Sequence, residues 1–409
     1  MSDDVSVVRL RAASVREAGP ALTSSSLEVR AQWLADSAAT LMGEAHNRRD
    51  TLSAATGLSV PMIEWATRTT LDTIRVDSML ALARIVRTGA DRNPHPIAML
   101  SVILAGNVFT ASVRGIVIPL LFGVPVLVKA SSQETVFPLL LRDALRSADG
   151  QLGAAMSVVT FRGGDVECEA ALVEPAEVVS VYGGDATVAA MAARVNDKPL
   201  IAHGHGVSVA YCGAQALDEA HIENTIESLS LDICAYDQRG CLSPQIIYVE
   251  RSSGRPAADF AGRLAEQGLA PMGRTLPRGP LPLSVGAAQA QWRGIAEVEG
   301  TLLQGDTYAV SIRKPDPIRW SPAYRNVTVA PVDGTDEALQ AMQAIGPHLK
   351  CVGLALGARN AASGQRCAQC LHMRHRRDAD AAARRARGRP PHVARPLSKL
   401  VCAPRTRRR

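Results

Sequence analysis

The sequence lacks the marks of an exported or membrane-bound chain. Its most apolar stretch, Gly115 to Val128 (GIVIPLLFGVPVLV), has 14 residues and contains Pro119 and Pro125. A bilayer-spanning helix needs about 20. The N-terminus, MSDDVSVVRLRAAS, is acidic where a secretory leader is basic, and no apolar run follows it. The 8 cysteines have no regular spacing ahead of the C-terminal tail and so describe no disulfide framework. No internal repeat of solenoid length is present. These absences exclude a disulfide scaffold, a membrane span and a solenoid. The expectation they leave is a reduced, cytoplasmic protein.

What is present is core-forming sequence with a charge split. Hydrophobic residues make up 47% and charged residues 21% of the 409, which excludes whole-chain disorder. Length suggests roughly two to three domains. The net charge of +6 hides two regions. Residues 358–409 carry 14 Arg and Lys399 against only Asp378 and Asp380, a net +13. Residues 1–357 hold the remaining 30 basic and 37 acidic residues, a net −7. The body is therefore acidic and gives no reason to expect a nucleic-acid partner. The tail's dominance by Arg, Ala, Gly and Pro resembles out-of-frame translation of a GC-rich gene, so 358–409 is expected to be frameshifted or a disordered basic segment. Cys367, Cys370, His372 and His375 lie there, but a single residue separates the two pairs and no finger loop fits between them; no metal site is expected.

Residues 26–90 carry apolar positions at three- and four-residue spacing and predict helices. From residue 95 short buried strands alternate with helices. Strands are expected at 97–104, 126–128, 156–161 and 178–182, then at 207–212, 245–250, 308–313 and 326–331, with an apolar strand closing the stretch before 357. Ser131 and Ser132 are expected to cap a helix over 135–147. The pattern means α/β architecture with parallel, doubly wound sheets and a ligand at the strands' C-terminal ends. The expected domains are a helical part (1–94), a dinucleotide-binding part (95–205), a catalytic part (206–357) and the tail.

Four positions could carry chemistry. Gly183-Gly184-Asp185-Ala186-Thr187 sits where a strand gives way to a helix; it is either a phosphate cradle or a plain turn, and it is not GxGxxG. Lys129, leaving a buried strand ahead of Ser131 and Ser132, is a phosphate or ribose ligand or a solvated strand-end lysine. Asn107 offers a carboxamide donor for an oxyanion, or is a turn residue. Cys241, in Tyr236-Asp237-Gln238-Arg239-Gly240-Cys241, is expected to be accessible and to ionise readily beside Arg239. Cys168, Cys212, Cys234 and Cys351 lie in apolar runs and read as small core residues.

In this order the four signals resemble the aldehyde dehydrogenase superfamily, and within it the acyl-CoA reductases of the LuxC type. The segments that carry the resemblance are LAGNVFTASVRGIVIPLLFGVPVLVKASSQET, SVYGGDATVAAM and, above all, LDICAYDQRGCLSPQIIYVE, within about 95–357. It implies an aldehyde dehydrogenase-like fold with Cys241 as nucleophile forming an acyl-enzyme thioester. Asn107 and the Cys241 amide would form the oxyanion hole, and Lys129 with Gly183 to Thr187 would hold the dinucleotide. Hydride would convert the thioester to a thiohemiacetal that releases the aldehyde.

Two departures refine this. Aldehyde-oxidising relatives carry a water-activating glutamate in Glu-Leu-Gly-Gly-Lys; here the stretch is His203-Gly204-His205-Gly206-Val207, with no carboxylate. His203 or His205 is either a proton donor or a structural histidine. Ser132 stands where NAD-dependent relatives place a ribose-binding glutamate, which favours NADPH, with Glu134 nearby as the counterargument. The expected substrate is an acyl-CoA or acyl-carrier thioester. The alternatives are a CoA-acylating dehydrogenase of short aldehydes and an inactive relative. The resemblance also implies a homo-oligomer, an implication weakened by the unmatched C-terminus.

Overall fold

The structure, a computed structural model, describes residues 2–89, 97–251 and 256–356. Six helices precede the first strand among these residues: α1 (Val5–Glu17), α2 (Gly19–Ser24), α3 (Leu27–Asn47), α4 (Arg49–Thr56), α5 (Val60–Leu71) and α6 (Val76–Gly89). Asp4 starts α1 by accepting the amides of Ser6 and Val7. Helix α1 buries only the thin stripe Val8, Ala12 and Val15, which explains why its helical pattern is faint in the sequence. Then follow β1 (Leu100–Ile103), α7 (Ala111–Leu121), β2 (Val126–Lys129), α8 (Val136–Ala148), α9 (Gly150–Ala154), β3 (Met156–Val159), α10 (Val166–Val173), β4 (Val178–Tyr182), α11 (Asp185–Arg194) and β5 (Leu200–His203).

These strands form one parallel sheet in the order β3-β2-β1-β4-β5. All four residues of β1 and of β2 are buried, as central strands covered on both faces require. The order reverses between β1 and β4, so the ends of those strands open a crevice at the sheet's C-terminal edge. This compact unit spans Met1–His205, and a second begins at Gly206.

The second unit comprises β6 (Val207–Cys212), α12 (Ile222–Cys234), β7 (Pro244–Glu250), α13 (Ala257–Arg263), α14 (Ala270–Thr275), α15 (Leu283–Glu299), β8 (Thr301–Gln304), β9 (Ala309–Ile312), β10 (Asn326–Val332), α16 (Thr335–Gln343) and β11 (Leu349–Ala355). Its sheet runs β11-β6-β7-β10-β9-β8. All pairings are parallel except β8 with β9. Alternation on β6 sends Ala210 and Cys212 into one apolar layer and Val207, Val209 and Tyr211 into the other.

The α/β fold with two doubly wound sheets and a helical N-terminal region is as expected. Within the helical part expected at 1–94, α1 and α2 lie ahead of the periodic stretch 26–90; the sequence reading missed α9, β5, α14, α15 and the antiparallel edge strand β8. β8 is exposed at both ends and only half-buried between, so it carries no continuous apolar run. Ser131 and Ser132 do not cap α8. Glu134 does so, its Oε1 accepting the Phe137 amide at 2.7 Å. The tail 358–409, with its Cys and His residues, lies outside the described residues.

Candidate active site

In the first unit the expected cofactor residues gather at the C-terminal edge of the sheet. Asn107 is exposed just past β1. The preceding Gly106 packs so tightly on the loop after β2 that a Cβ there would lie 2.8 Å from Ser131 Oγ and 3.0 Å from Gln133 Cβ. That close approach brings the ends of β1 and β2 together. Ser131 is half-buried and Ser132 exposed.

Lys129, the last residue of β2, is 8% exposed, which removes the solvated-lysine reading. Its Nζ lies 5.4 Å from the Phe161 ring centroid and makes no hydrogen bond or ion pair with a described residue. Burial pushes its ammonium below the ordinary lysine value; Glu169 opposes this. Glu169 itself is paired to Arg194 at 2.6 Å. A buried cation that no described residue pairs by hydrogen bond or ion pair is suited to an anionic ligand.

Gly183 and Gly184 end β4 and start α11, with Gly184 at the cap position and no side chain capping the helix. A Cβ on Gly183 would sit 3.0 Å from the Thr187 Cβ, whereas nothing lies within 4 Å of one on Gly184. The turn is therefore closed on its Thr187 side and open at Gly184, where uncapped amides are presented. Asp185 accepts the His205 amide at 3.3 Å. His203, at the end of β5, stacks on Tyr182 with centroids 4.1 Å apart and planes 9° apart. His205 is exposed. The buried Lys129, the open turn and the uncapped helix fit the phosphates of a dinucleotide.

In the second unit Cys241 is exposed, whereas Cys212, Cys234 and Cys351, like Cys168 in the first unit, are buried. Burial pushes the Cys212 thiol up to about 12 and that of Cys234 to about 11, as befits inert core residues. The cysteine loop leaves α12 through three consecutive left-handed residues, Tyr236, Asp237 and Gln238 (φ 51, 54 and 60°). Facing them is a second left-handed run, Ala323, Tyr324 and Arg325 (φ 58, 53 and 68°). Such residues cost roughly 1–2 kcal/mol each, so the surroundings must over-determine them. They do. Arg325 donates to Asp237 Oδ1 at 2.7 Å with both side chains 1% exposed. Asp237 Oδ2 accepts the Gly279 amide at 3.0 Å. Gln238 Nε2 donates to the carbonyls of Pro244 and Asn326 at 2.8 and 3.0 Å. The Tyr324 amide reaches the Asp237 carbonyl at 3.1 Å.

Cys241 itself is tied at its carbonyl, which accepts the Ser208 hydroxyl at 2.7 Å. Ser208 is near the start of β6, so the cysteine lies at the N-terminal edge of this sheet, opposite to the edge expected for a ligand. A second expectation also changes. Burial pushes the Cys241 thiol above its ordinary value although the residue is exposed; Lys350 and the loop's own backbone pull it down. Arg239 is turned away, donating to the Tyr236 carbonyl at 3.2 Å and lying 5.9 Å from the Tyr324 ring centroid. Sequence reasoning missed Lys350, Ser208 and the Asp237–Arg325 pair. The Arg325–Asn326 step just ahead of an apolar strand was the one local signal for the pair, and it identifies no partner.

Among solved structures, aldehyde dehydrogenase 21 from Physcomitrella patens, in complex with the reaction product succinate, aligns at TM-score 0.67 and 16% identity over 86% of this chain and 78% of its own. A variant of aldehyde dehydrogenase C from Pseudomonas syringae, bound to NAD+ and octanal, aligns at 0.65 and 17% over 83% and 75%. An NAD-dependent benzaldehyde dehydrogenase from Corynebacterium glutamicum aligns at 0.67 and 14% over 89% and 84%. The fold is thus that of the aldehyde dehydrogenases. Within that class the acyl-CoA reductase (LuxC) family model matches residues 78–368, and the chain belongs to this family. The match opens earlier and closes later than the 95–357 marked by the motifs. No curated protein matches the chain. Family membership makes it an oxidoreductase of the thioester and aldehyde class.

Proposed function

We propose that the chain reduces an acyl thioester, carried on CoA or an acyl carrier, to the aldehyde with NADPH through an acyl-enzyme on Cys241. The observation that carries this reading is the exposed cysteine at the end of a clamped loop, within the family-matched region, while the other described cysteines are buried. The Cys241 thiolate attacks the acyl carbonyl carbon; the bond to the carrier sulfur breaks, and the carrier leaves as a thiolate that takes up a proton. Asn107 donates its carboxamide to the acyl oxygen. NADPH, when bound, supplies the hydride. Lys129, Ser131 and the Gly183 to Thr187 turn hold its phosphates. The loop with Ser132 carries no ribose-seeking carboxylate, because Glu134 is turned inward to cap α8. This supports the 2′-phosphorylated cofactor.

The stretch His203 to Val207 holds no carboxylate to activate water, so the thioester persists until it is reduced. Of the two histidines, exposure favours His205 over the stacked His203 as proton donor. The test is incubation with acyl-labelled acyl-CoA in the absence of cofactor. Label retained on the Cys241 peptide and lost in Cys241→Ala is the expected result. Label that survives this substitution overturns the assignment.

A further inference from the structure

The strand that closes the second sheet carries a lysine placed unlike its neighbours. On β11, Leu349 pairs with Val207 and Cys351 with the very next residue, Ser208, so Lys350 is an extra residue without a ladder partner. A bulge of this kind bends its strand and re-aims a side chain, and bulges collect beside active sites. Here the Lys350 stem is laid across Gly206. A Cβ on Gly206 would meet its Cδ at 2.9 Å, its Cβ at 3.0 Å and its Cγ at 3.1 Å. A larger residue at 206 would have to displace the stem. Two residues after Gly206, in β6, Ser208 holds the Cys241 carbonyl at 2.7 Å. The bulged lysine and the cysteine loop therefore share one short edge of the sheet. Among the described residues Lys350 makes no ion pair or hydrogen bond, so no carboxylate of these residues is paired with it.

We propose that Lys350 is a positioning residue whose ammonium, carried to the cysteine's edge of the sheet by the bulge and the Gly206 groove, favours ionisation of the Cys241 thiol. The proposal rests on Cys241 being the nucleophile of the reductase. Among the charged side chains of the described residues, Lys350 is the one whose field acts on the thiol, and it opposes the effect of burial. Arg239, on the cysteine's own loop, faces Tyr236 and Tyr324 instead. The proton released by the thiol goes to solvent.

The test uses the full-length protein without substrate or cofactor. Alkylation of the Cys241 peptide by iodoacetamide is followed by mass spectrometry across pH, in wild type, Lys350→Met and Lys350→Arg. Lys350→Met is expected to move the alkylation profile to higher pH and to slow the rate at pH 7 by roughly three- to tenfold. Lys350→Arg keeps the charge and is expected to stay within about twofold of wild type. An unchanged profile in Lys350→Met overturns the proposal, as does an equal shift in both variants, which would indicate packing rather than charge. Acyl transfer from labelled acyl-CoA is read separately. A shifted alkylation profile in a protein that takes up no acyl group would retain the lysine's role and reject the reductase reading.

Discussion

The glycine turn of the first unit and the cysteine loop of the second are both short connections at a sheet edge, yet they are held in different ways. The turn is made by sequence neighbours. Gly183, Gly184 and Thr187 lie within five residues, and the geometry follows from a strand ending where a helix begins. The cysteine loop is made at a distance. Asp237 is fixed by Arg325, 88 residues away in sequence, and Cys241 by Ser208, 33 residues away. A nucleotide phosphate can be met by backbone amides, which any helix start supplies. A nucleophile needs one side chain held at one point, and here that takes two left-handed runs clamped against each other.

The sharpest way to break this contrast is to remove the clamp. Arg325→Met leaves Asp237 buried without its charge partner and removes one of the ties between the two left-handed runs. Breaking a buried pair from one side costs about 3–5 kcal/mol. Urea unfolding of the variant is expected to show a loss of that size, and Cys241 is expected to be alkylated at an altered rate even under native conditions. A loss below about 1 kcal/mol would mean that the side-chain and backbone bonds of Gln238 and Tyr324 hold the loop by themselves.

The same contrast explains what could be read in the sequence. The buried strands, the glycine pair, Lys129 and the exposed cysteine each leave a local trace: an apolar run, a strand-to-helix junction, a polar break. The fold class and the first-unit edge were legible for that reason. Lys350 sits in HLKCVGLAL like any lysine at the start of a strand, and only the pairing register reveals the bulge. The reading of Arg239 as the cation beside Cys241 came from sequence adjacency, whereas the loop's left-handed run turns that arginine away. Ser131 and Ser132 carried a helix-start signal, but a buried glutamate nearer to the helix took the amide.

A middle-sized effect separates folding from binding within the first-unit turn. At Gly183 an added methyl must displace Thr187; at Gly184 it enters open space. Gly183→Ala is expected to lose about 1 kcal/mol of stability and to weaken NADPH binding. Gly184→Ala is expected to hold its stability within about 0.5 kcal/mol, since alanine replaces glycine at a cap position, while binding NADPH about tenfold more weakly because the methyl occupies the phosphate's approach. Fluorescence titration with NADPH alongside thermal unfolding reads both. Unaltered binding in Gly184→Ala would show that the phosphates do not approach this turn.

The smallest expected effect concerns Glu134, where burial and a local hydrogen bond compete. Burial pushes its carboxyl above the ordinary 4.5, and the amides of Phe137 and Val136 pull it back. At pH values between the ordinary and the raised value the folded chain keeps a proton that the unfolded chain has released. The stability linked to Glu134 is therefore fully present below 4.5 and is lost as pH rises through the raised value. Glu134→Gln keeps an acceptor for the Phe137 amide and removes the buried charge. It is expected to be more stable than wild type by roughly 0.5 kcal/mol at pH 7, with the difference closing as the pH falls below the ordinary glutamate range. Thermal unfolding at pH 4 and pH 7 measures this. A glutamine variant less stable at pH 7 would mean that the charge, placed at the positive end of α8, gains more from the helix dipole than it loses to burial. In that case the helix start, more than the Phe137 amide alone, keeps the Glu134 carboxylate turned inward and away from Ser132.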